Sequence, residues 1–263
     1  MIKIHALEEV KGNSKEIVEK EFENLANELK EKYNAKIKYV DDDIEENDNL
    51  KFYTKIGEFE INFDNFKEYI QFCLKYGADI EVIKPEKLKL KADEINEVLA
   101  FVISAFKSFV ETYKIGFNVY IKEKKDIDVE EYKKGKYDEE DIIDFEEDGF
   151  IRVKAVFEGV GKNEEEVIKN LLMSLEREDI IINKIITKNF NENNETFNGL
   201  IAVDLLCKPF EMFEIAYKYL PVALSIQKDE IELSLADIQD IGNELSGAMF
   251  ELSHAVIMRK QLI

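Results

Sequence analysis

Apolar and polar residues alternate from Ile2 to Leu7, the period of a strand with one buried face. The period then lengthens. Ser14 is placed to cap a helix running to about Tyr33, with Ile17, Val18, Phe22, Leu25 and Leu29 on one side. Ala35 to Val40 reads as a second strand, Asp41 to Asn49 as a polar turn, and Phe52 to Phe63 as a third strand. Asp64 caps a helix to Tyr76, and Gly77 supplies the residue that ends it. Ile80 to Ile83 is the fourth strand, closed by Pro85.

The same order returns in the second half of the chain. Ile151 to Phe157 is a strand, about Asn163 to Arg177 a helix, and Ile180 to Thr187 a strand. An asparagine-rich turn, NFNENNETFNG, precedes the strand Phe197 to Cys207. Pro209 then opens a helix to Tyr219, and Val222 to Ile226 is the last strand of the set. The residues also align. IKIHALEEVKGNSKEIVEK from Ile2 resembles IRVKAVFEGVGKNEEEVIKN from Ile151, and Phe66 to Ile95 lies on Pro209 to Ile238 without a gap. In that stretch Tyr76 falls on Tyr219, Leu88 on Ile231, Leu90 on Leu233 and Ile95 on Ile238.

The order β-α-β-β-α-β is that of the split βαβ, or ferredoxin-like, unit. Crossover handedness then leaves one antiparallel four-stranded sheet with two helices on one face. The expected fold class is α+β, a tandem duplication of this unit. Each copy adds a long final helix, Asp93 to Tyr113 and Leu235 to about Arg259. The expected division is residues 1–114, a charged linker at 115–149, and residues 150–263. Ile115 to Ile121 has the pattern of an extra strand; the rest of the linker reads as mobile or partly helical.

The strand faces differ between the copies. In copy one, Ile2, Ile4, Ala6, Phe59, Ile61 and Phe63 should meet the helices, while Lys3, His5, Glu58, Glu60 and Asn62 point away. In copy two, IIINKII and GLIAVDLL are apolar on both sides, so something must cover the second face. The candidates are a long helix of either copy, or another subunit. Helix 93–113 is apolar around most of its circumference and should be buried on more than one side. Helix 235–259 carries Gly242, Ser246, Gly247, Ala248 and Ser253, which admit another backbone. That backbone belongs either to the other copy or to a second subunit in a homodimer.

Composition narrows the class. The chain has 263 residues and 45% apolar content, enough for real cores, and no apolar run approaches the roughly 18 residues of a membrane span. No signal-peptide pattern opens the chain, so a soluble, cytoplasmic protein is expected. With 57 acidic and 36 basic residues the net charge is −21, which argues against nucleic-acid binding, because phosphate contacts need a basic face. The abundance of lysine, glutamate, isoleucine and asparagine suggests an archaeal or similar AT-rich microbial source.

Chemistry-bearing motifs are few. His5 and His254 are far apart and make no nucleophilic triad or zinc pattern; Cys73 and Cys207 read as small buried hydrophobes. The acidic run Asp41, Asp42, Asp43, Glu45, Glu46, Asp48 departs from the calcium-loop pattern at Glu46 and Phe52 and reads as a solvated hairpin turn. Gly159 and Gly161 complete neither a dinucleotide fingerprint nor a phosphate loop. No metal and no cofactor are therefore expected. One constellation carries a ligand reading: Lys3 and His5 in the first strand of copy one match Arg152 and Lys154 in copy two, and together they are candidates to bind a small anion. Against it stands cross-strand neutralisation, of Lys3 and His5 by Glu58 and Glu60, and of Lys154 by Asp204.

The segment FCLKYGADIEVIKPEKLKLK from Phe72 resembles the close of the WYL C-terminal extension module, with its helix, glycine, Val-Glu-Val-like strand and proline. The resemblance implies a βαββαβ unit. It covers one element pair; in copy two Gly77 is replaced by Leu220 and the proline is missing, and no functional residue carries across. The function expected from all this is a non-catalytic binding or regulatory module, sensing a small ligand or docking a protein partner. The alternatives are an enzyme with its site between the repeats and an acidic nucleic-acid mimic.

Overall fold

A computed structural model of the chain describes residues 1–47, 50–117, 127–177, 179–191 and 196–261. Helices and antiparallel sheets alternate in an α+β fold with two repeated units. By internal contacts the chain forms two compact units, Met1–Leu88 with Glu232–Ile263, and Lys89–Ile231. This division differs from the sequence segments 1–114, 115–149 and 150–263. Each long helix lies in the unit built on the other copy's sheet.

The first unit starts with β1 (Ile2–Gly12), α1 (Lys15–Tyr33), β2 (Lys36–Asn47), β3 (Leu50–Phe63), α2 (Phe66–Tyr76) and β4 (Asp79–Lys84). The strands are ordered β2-β3-β1-β4, every pair antiparallel. Ile2, Ile4 and Ala6 stand opposite Phe63, Ile61 and Phe59, and all six are buried, as their alternation requires. Asn65 caps α2 by accepting from the Glu68 N–H at 2.9 Å, so the cap sits one residue beyond the expected Asp64. Gly77 ends the helix in the left-handed region at φ 67°. The expected polar turn at 41–49 is a strand through Asn47; 48–49 lie outside the described residues. Its acidic side chains tolerate the sheet because lysines answer them: Asp42 takes Lys55 at 3.0 Å and Glu45 takes Lys11 at 2.7 Å.

Strand β4 is a sheet edge, and an edge leaves backbone groups open. The helix that closes this one is α8 (Leu235–Gln261), which packs on α2 and β4. Asn243 accepts from the Ile80 N–H at 2.8 Å and donates to the Ile80 carbonyl at 3.0 Å, while Gln239 accepts from the Val82 N–H at 3.0 Å. The close approach depends on Gly242: a Cβ there would overlap the Tyr69 hydroxyl, which donates to the Ile238 carbonyl at 2.9 Å. Ser246 donates to the Cys73 carbonyl at 3.1 Å. The small residues of this helix thus have their use inside the unit.

The second unit holds α3 (Ala92–Tyr113), α4 (Val129–Lys134), α5 (Glu139–Glu147), β6 (Ile151–Gly161), α6 (Glu164–Leu175), β7 (Ile180–Asn189), β8 (Phe197–Cys207), α7 (Pro209–Glu214) continued by a π-helical turn (Ile215–Tyr219), and β9 (Ala223–Ile226). Its strands are ordered β7-β8-β6-β9, again all antiparallel. Here α3 packs along β9, and Asn96 accepts from the Ile226 N–H at 3.0 Å. Asn96 is the aligned counterpart of Gln239, and Ile226 occupies the place in β9 that Val82 has in β4. The same amide-to-edge bond is therefore made in both units, each time by the helix of the opposite copy.

The outer cover of the copy-two sheet comes from the segment expected to be a linker, not from a long helix. Residues 129–147 form α4 against β7 and α5 against β6, burying Val129, Tyr132 and Ile142. Asn183 pins them: its carbonyl accepts from the Lys136 N–H at 2.9 Å and its side chain from the Tyr137 N–H at 3.0 Å. Of the strand expected at 115–121, positions 118–121 lie outside the described residues, and 115–117 are not in a strand.

Two further strands escaped the sequence reading, β5 (Lys87–Lys91) and β10 (Glu230–Ser234), which pair in a two-stranded sheet. KLKLK and EIELS do alternate, but five residues give too few repeats of a period to mark a strand. Lys87 meets Glu232 at 2.5 Å in the first unit, and Lys89 meets Glu230 at 3.6 Å in the second. The aligned positions carry lysine in copy one and glutamate in copy two, so the unlike copies attract where like copies would repel.

Candidate functional site

The four basic residues singled out in the sequence are all on sheet faces turned from the paired helices, and carboxylates meet Lys3, His5 and Arg152. Lys3 lies 2.8 Å from Glu60, whose carboxyl it holds below the usual range. His5 has Glu58 at 3.0 Å and Glu81 at 3.6 Å. Arg152 grips Asp204 with two bonds, of 3.0 and 2.8 Å, and Asn183 donates to the same carboxylate at 3.1 Å. Asp204 thus takes Arg152 rather than Lys154, although Lys154 stands opposite it in the ladder. The planar guanidinium can bind both oxygens at once, which an ammonium cannot. Lys154 is exposed. Lys3 and His5 fall in the first unit, Arg152 and Lys154 in the second.

Other sequence candidates resolve as packing or surface. Cys73 and Cys207 are buried, and burial pushes the Cys73 thiol up to about 12, away from the reactive thiolate. His254 is exposed and stacks on Phe250 with ring centroids 6.2 Å apart. Among the described residues no group of three or more His, Cys, Asp or Glu side chains is arranged to hold a metal ion.

The group that stands out is Glu8. Strand β1 continues past Leu7, so its alternation carries Glu8 onto the same core face as Ile2, Ile4 and Ala6. The residue is only 7% exposed, and its Oε1 is buried without a hydrogen-bond partner. A buried, unpaired carboxylate is costly, so the group keeps its proton instead. Burial, and then the nearby charge of Asp79, push its pKa up to about 8. Its neighbour across the ladder is Gly57, which adds no side chain of its own.

Glu8 lines a cavity of about 540 Å³. The walls come from β1 (Leu7, Glu9, Lys11), the end of α2 (Tyr76, Gly77), the start of β4 (Asp79) and one side of α8 (Asn243, Ser246, Gly247, Phe250). Local sequence builds each wall. The left-handed turn at Gly77 ends α2 short of the opening, and a Cβ at Gly247 would meet nothing within 4 Å. Most polar groups of the lining are already engaged. Tyr76 donates to Glu28 at 2.9 Å, Lys11 to Glu45 at 2.7 Å, Ser246 to Cys73, and Asn243 to Ile80. Copy two has Phe157 where copy one has Glu8, and Ile201 where copy one has Gly57. Phe157 and Ile201 are both buried.

The sequence reading missed Glu8 because it closed the first strand at Leu7. Two signals could have found it: the period-two extension of Ile2, Ile4, Ala6, and its alignment with an apolar Phe157.

Fold and cavity together define an α+β protein of two repeated units with a buried carboxyl at a cavity in one of them. The chain belongs to the MJ0538 family, whose model matches residues 3–259. It is 88% identical over 260 residues, 99% of its length, to Uncharacterized protein MJ0538 of Methanocaldococcus jannaschii, all of which is covered. No solved structure matches the chain. No helix among the described residues is long and apolar enough to cross a membrane.

Proposed function

We propose that this protein is a non-catalytic, cytoplasmic binding module for a small ligand, with its site in the cavity at Glu8. The observation that carries this reading is Glu8, which lines the cavity and whose Oε1 is buried without a partner. A protein stabilised only by packing has an apolar residue at such a place, as copy two does with Phe157. A cavity with few oriented polar groups and one strongly perturbed carboxyl is the usual form of a ligand site. Binding is favoured over catalysis by the engaged lining: the hydroxyls of Tyr76 and Ser246 and the ammonium of Lys11 are bonded elsewhere, so none of the three is free to act as a nucleophile beside Glu8.

Filling the cavity tests the reading. Wild-type protein and Glu8→Phe, which copies the residue of the second repeat, are incubated with a cell-metabolite extract, and retained compounds are identified by mass spectrometry. The wild type should retain a compound that the variant, still folded by circular dichroism, does not. Equal retention by both, or none by either, would overturn it.

A further inference from the structure

We propose that the ligand of the Glu8 cavity is an organic cation, an ammonium or amidinium group on an apolar body, with its charge seated against the Glu8 carboxyl. This rests on the cavity being the binding site. It goes further by naming the chemistry that the walls select.

Charge comes first. Every titratable group that lines the cavity can be named from the elements around it. Strand β1 contributes Glu8, Glu9 and Lys11, the end of α2 contributes Tyr76, and β4 contributes Asp79. Strand β3 opposes Glu8 with Gly57, and α8 contributes only neutral Asn243, Ser246, Gly247 and Phe250. Lys11, the single cation of the set, lies 2.7 Å from Glu45. The balance is negative, and an anion would meet three carboxyls with no available counter-charge. The cavity also lies at the C-terminal end of α2, where the helix dipole favours positive charge.

Shape and surface come next. Leu7, Tyr76 and Phe250 give the cavity apolar and aromatic walls, and an aromatic face attracts a cation as well as hydrocarbon. The volume of about 540 Å³ admits a small organic molecule rather than a bare ion. An inorganic cation would need several oxygen ligands converging on one point, and among the described residues no such group of carboxylates is formed.

A cation changes the state of Glu8. In the empty cavity burial and Asp79 hold its proton to about pH 8. An ammonium placed against it favours the carboxylate, so binding at neutral pH releases that proton to solvent. Affinity should therefore rise about tenfold per pH unit up to about pH 8 and level off above it, provided the ligand keeps its charge.

The test uses the full chain and four probes: phenethylammonium, benzamidinium, the neutral 2-phenylethanol and the anionic 3-phenylpropionate, with magnesium chloride alone as a fifth arm. Amide shifts of Gly77 and Gly247 are followed by NMR to about 10 mM probe, enough to detect binding in the millimolar range. Both cations should shift these amides, while the alcohol and the carboxylate bind at least about tenfold more weakly, one such factor being about 1.4 kcal/mol. Calorimetry near neutral pH should show proton release, seen as a heat that depends on the buffer. Glu8→Gln, which keeps the shape, should lose about tenfold or more in cation affinity together with the pH dependence. If the alcohol or the carboxylate binds the cavity as well as the cations do, or if Glu8→Gln binds the cations unchanged, the organic-cation assignment falls and the binding-site reading stands. Shifts produced by magnesium alone would replace it with a metal site. If no probe moves either amide, both readings fall.

Discussion

Glu8 shows how much one residue can depend on its setting. A carboxyl that ionises at 4.5 in an open chain keeps its proton to about 8 in the fold, because burial removes the water that would solvate its charge. The consequence for stability has a definite sign. Between those two values the folded state holds a proton that the unfolded state has lost. This contribution is therefore neutral below about pH 4.5 and grows unfavourable as pH rises, levelling off above about 8. Each unit of pKa difference corresponds to about 1.4 kcal/mol, so the full effect is a few kcal/mol. Glu8→Gln should remove it. Urea unfolding of the two proteins from about pH 5 to about pH 9 should show the variant gaining on the wild type as pH rises. A constant difference across that range would mean that the carboxyl is solvated in the native protein. Gly242 makes the same point through shape, since its missing side chain is the space that Tyr69 fills.

At the scale of elements, the edge strands decide the most. A β-edge offers unpaired N–H and C=O groups, and here helix side chains occupy them. Asn243 satisfies both backbone groups of Ile80, whereas Asn96 satisfies only the N–H of Ile226. Asn243→Ala should cost about 1–3 kcal/mol, because it strips two part-buried backbone groups of their partners. Asn96→Ala should cost less. Chemical denaturation measures the totals, and amide exchange at Ile80 and Ile226 locates them. Equal, negligible losses would show that water replaces the amides without penalty. The strands and helices themselves were largely legible, because Ile2, Ile4 and Ala6, or Val18, Phe22 and Leu29, repeat with the period of their own element. Strands β5 and β10 were not, since five residues give too few repeats of a period beside a long helix.

At the scale of the molecule, connectivity and compactness part company. The segments expected from the sequence divide after residue 114, but the contact-defined units exchange helices: α8 completes the first, and α3 lies in the second. A fragment of residues 1–114 lacks the helix that covers β4 and α2. A chain joining 1–88 directly to 232–263 keeps it. The joined chain should unfold cooperatively in a calorimeter, while fragment 1–114 should melt without a defined transition. The opposite ranking would mean that α8 is dispensable to the first unit. The alternating charges of Lys87 and Lys89 with Glu232 and Glu230 fit a chain whose two copies have diverged to suit each other.

What the amino-acid sequence determined alone is local: the type and order of the elements, the duplication, and the inward faces of the strands, since each follows from a period within a few residues. Two matters waited for the tertiary structure. One is the cover of each sheet, because the apolar sides of α3, α8 and the 129–147 segment suit several partners, and only packing of the whole chain chooses among them. The other is the cavity, because whether Glu8 meets water or protein depends on α2, β4 and α8, which are distant in sequence and converge only in the folded state.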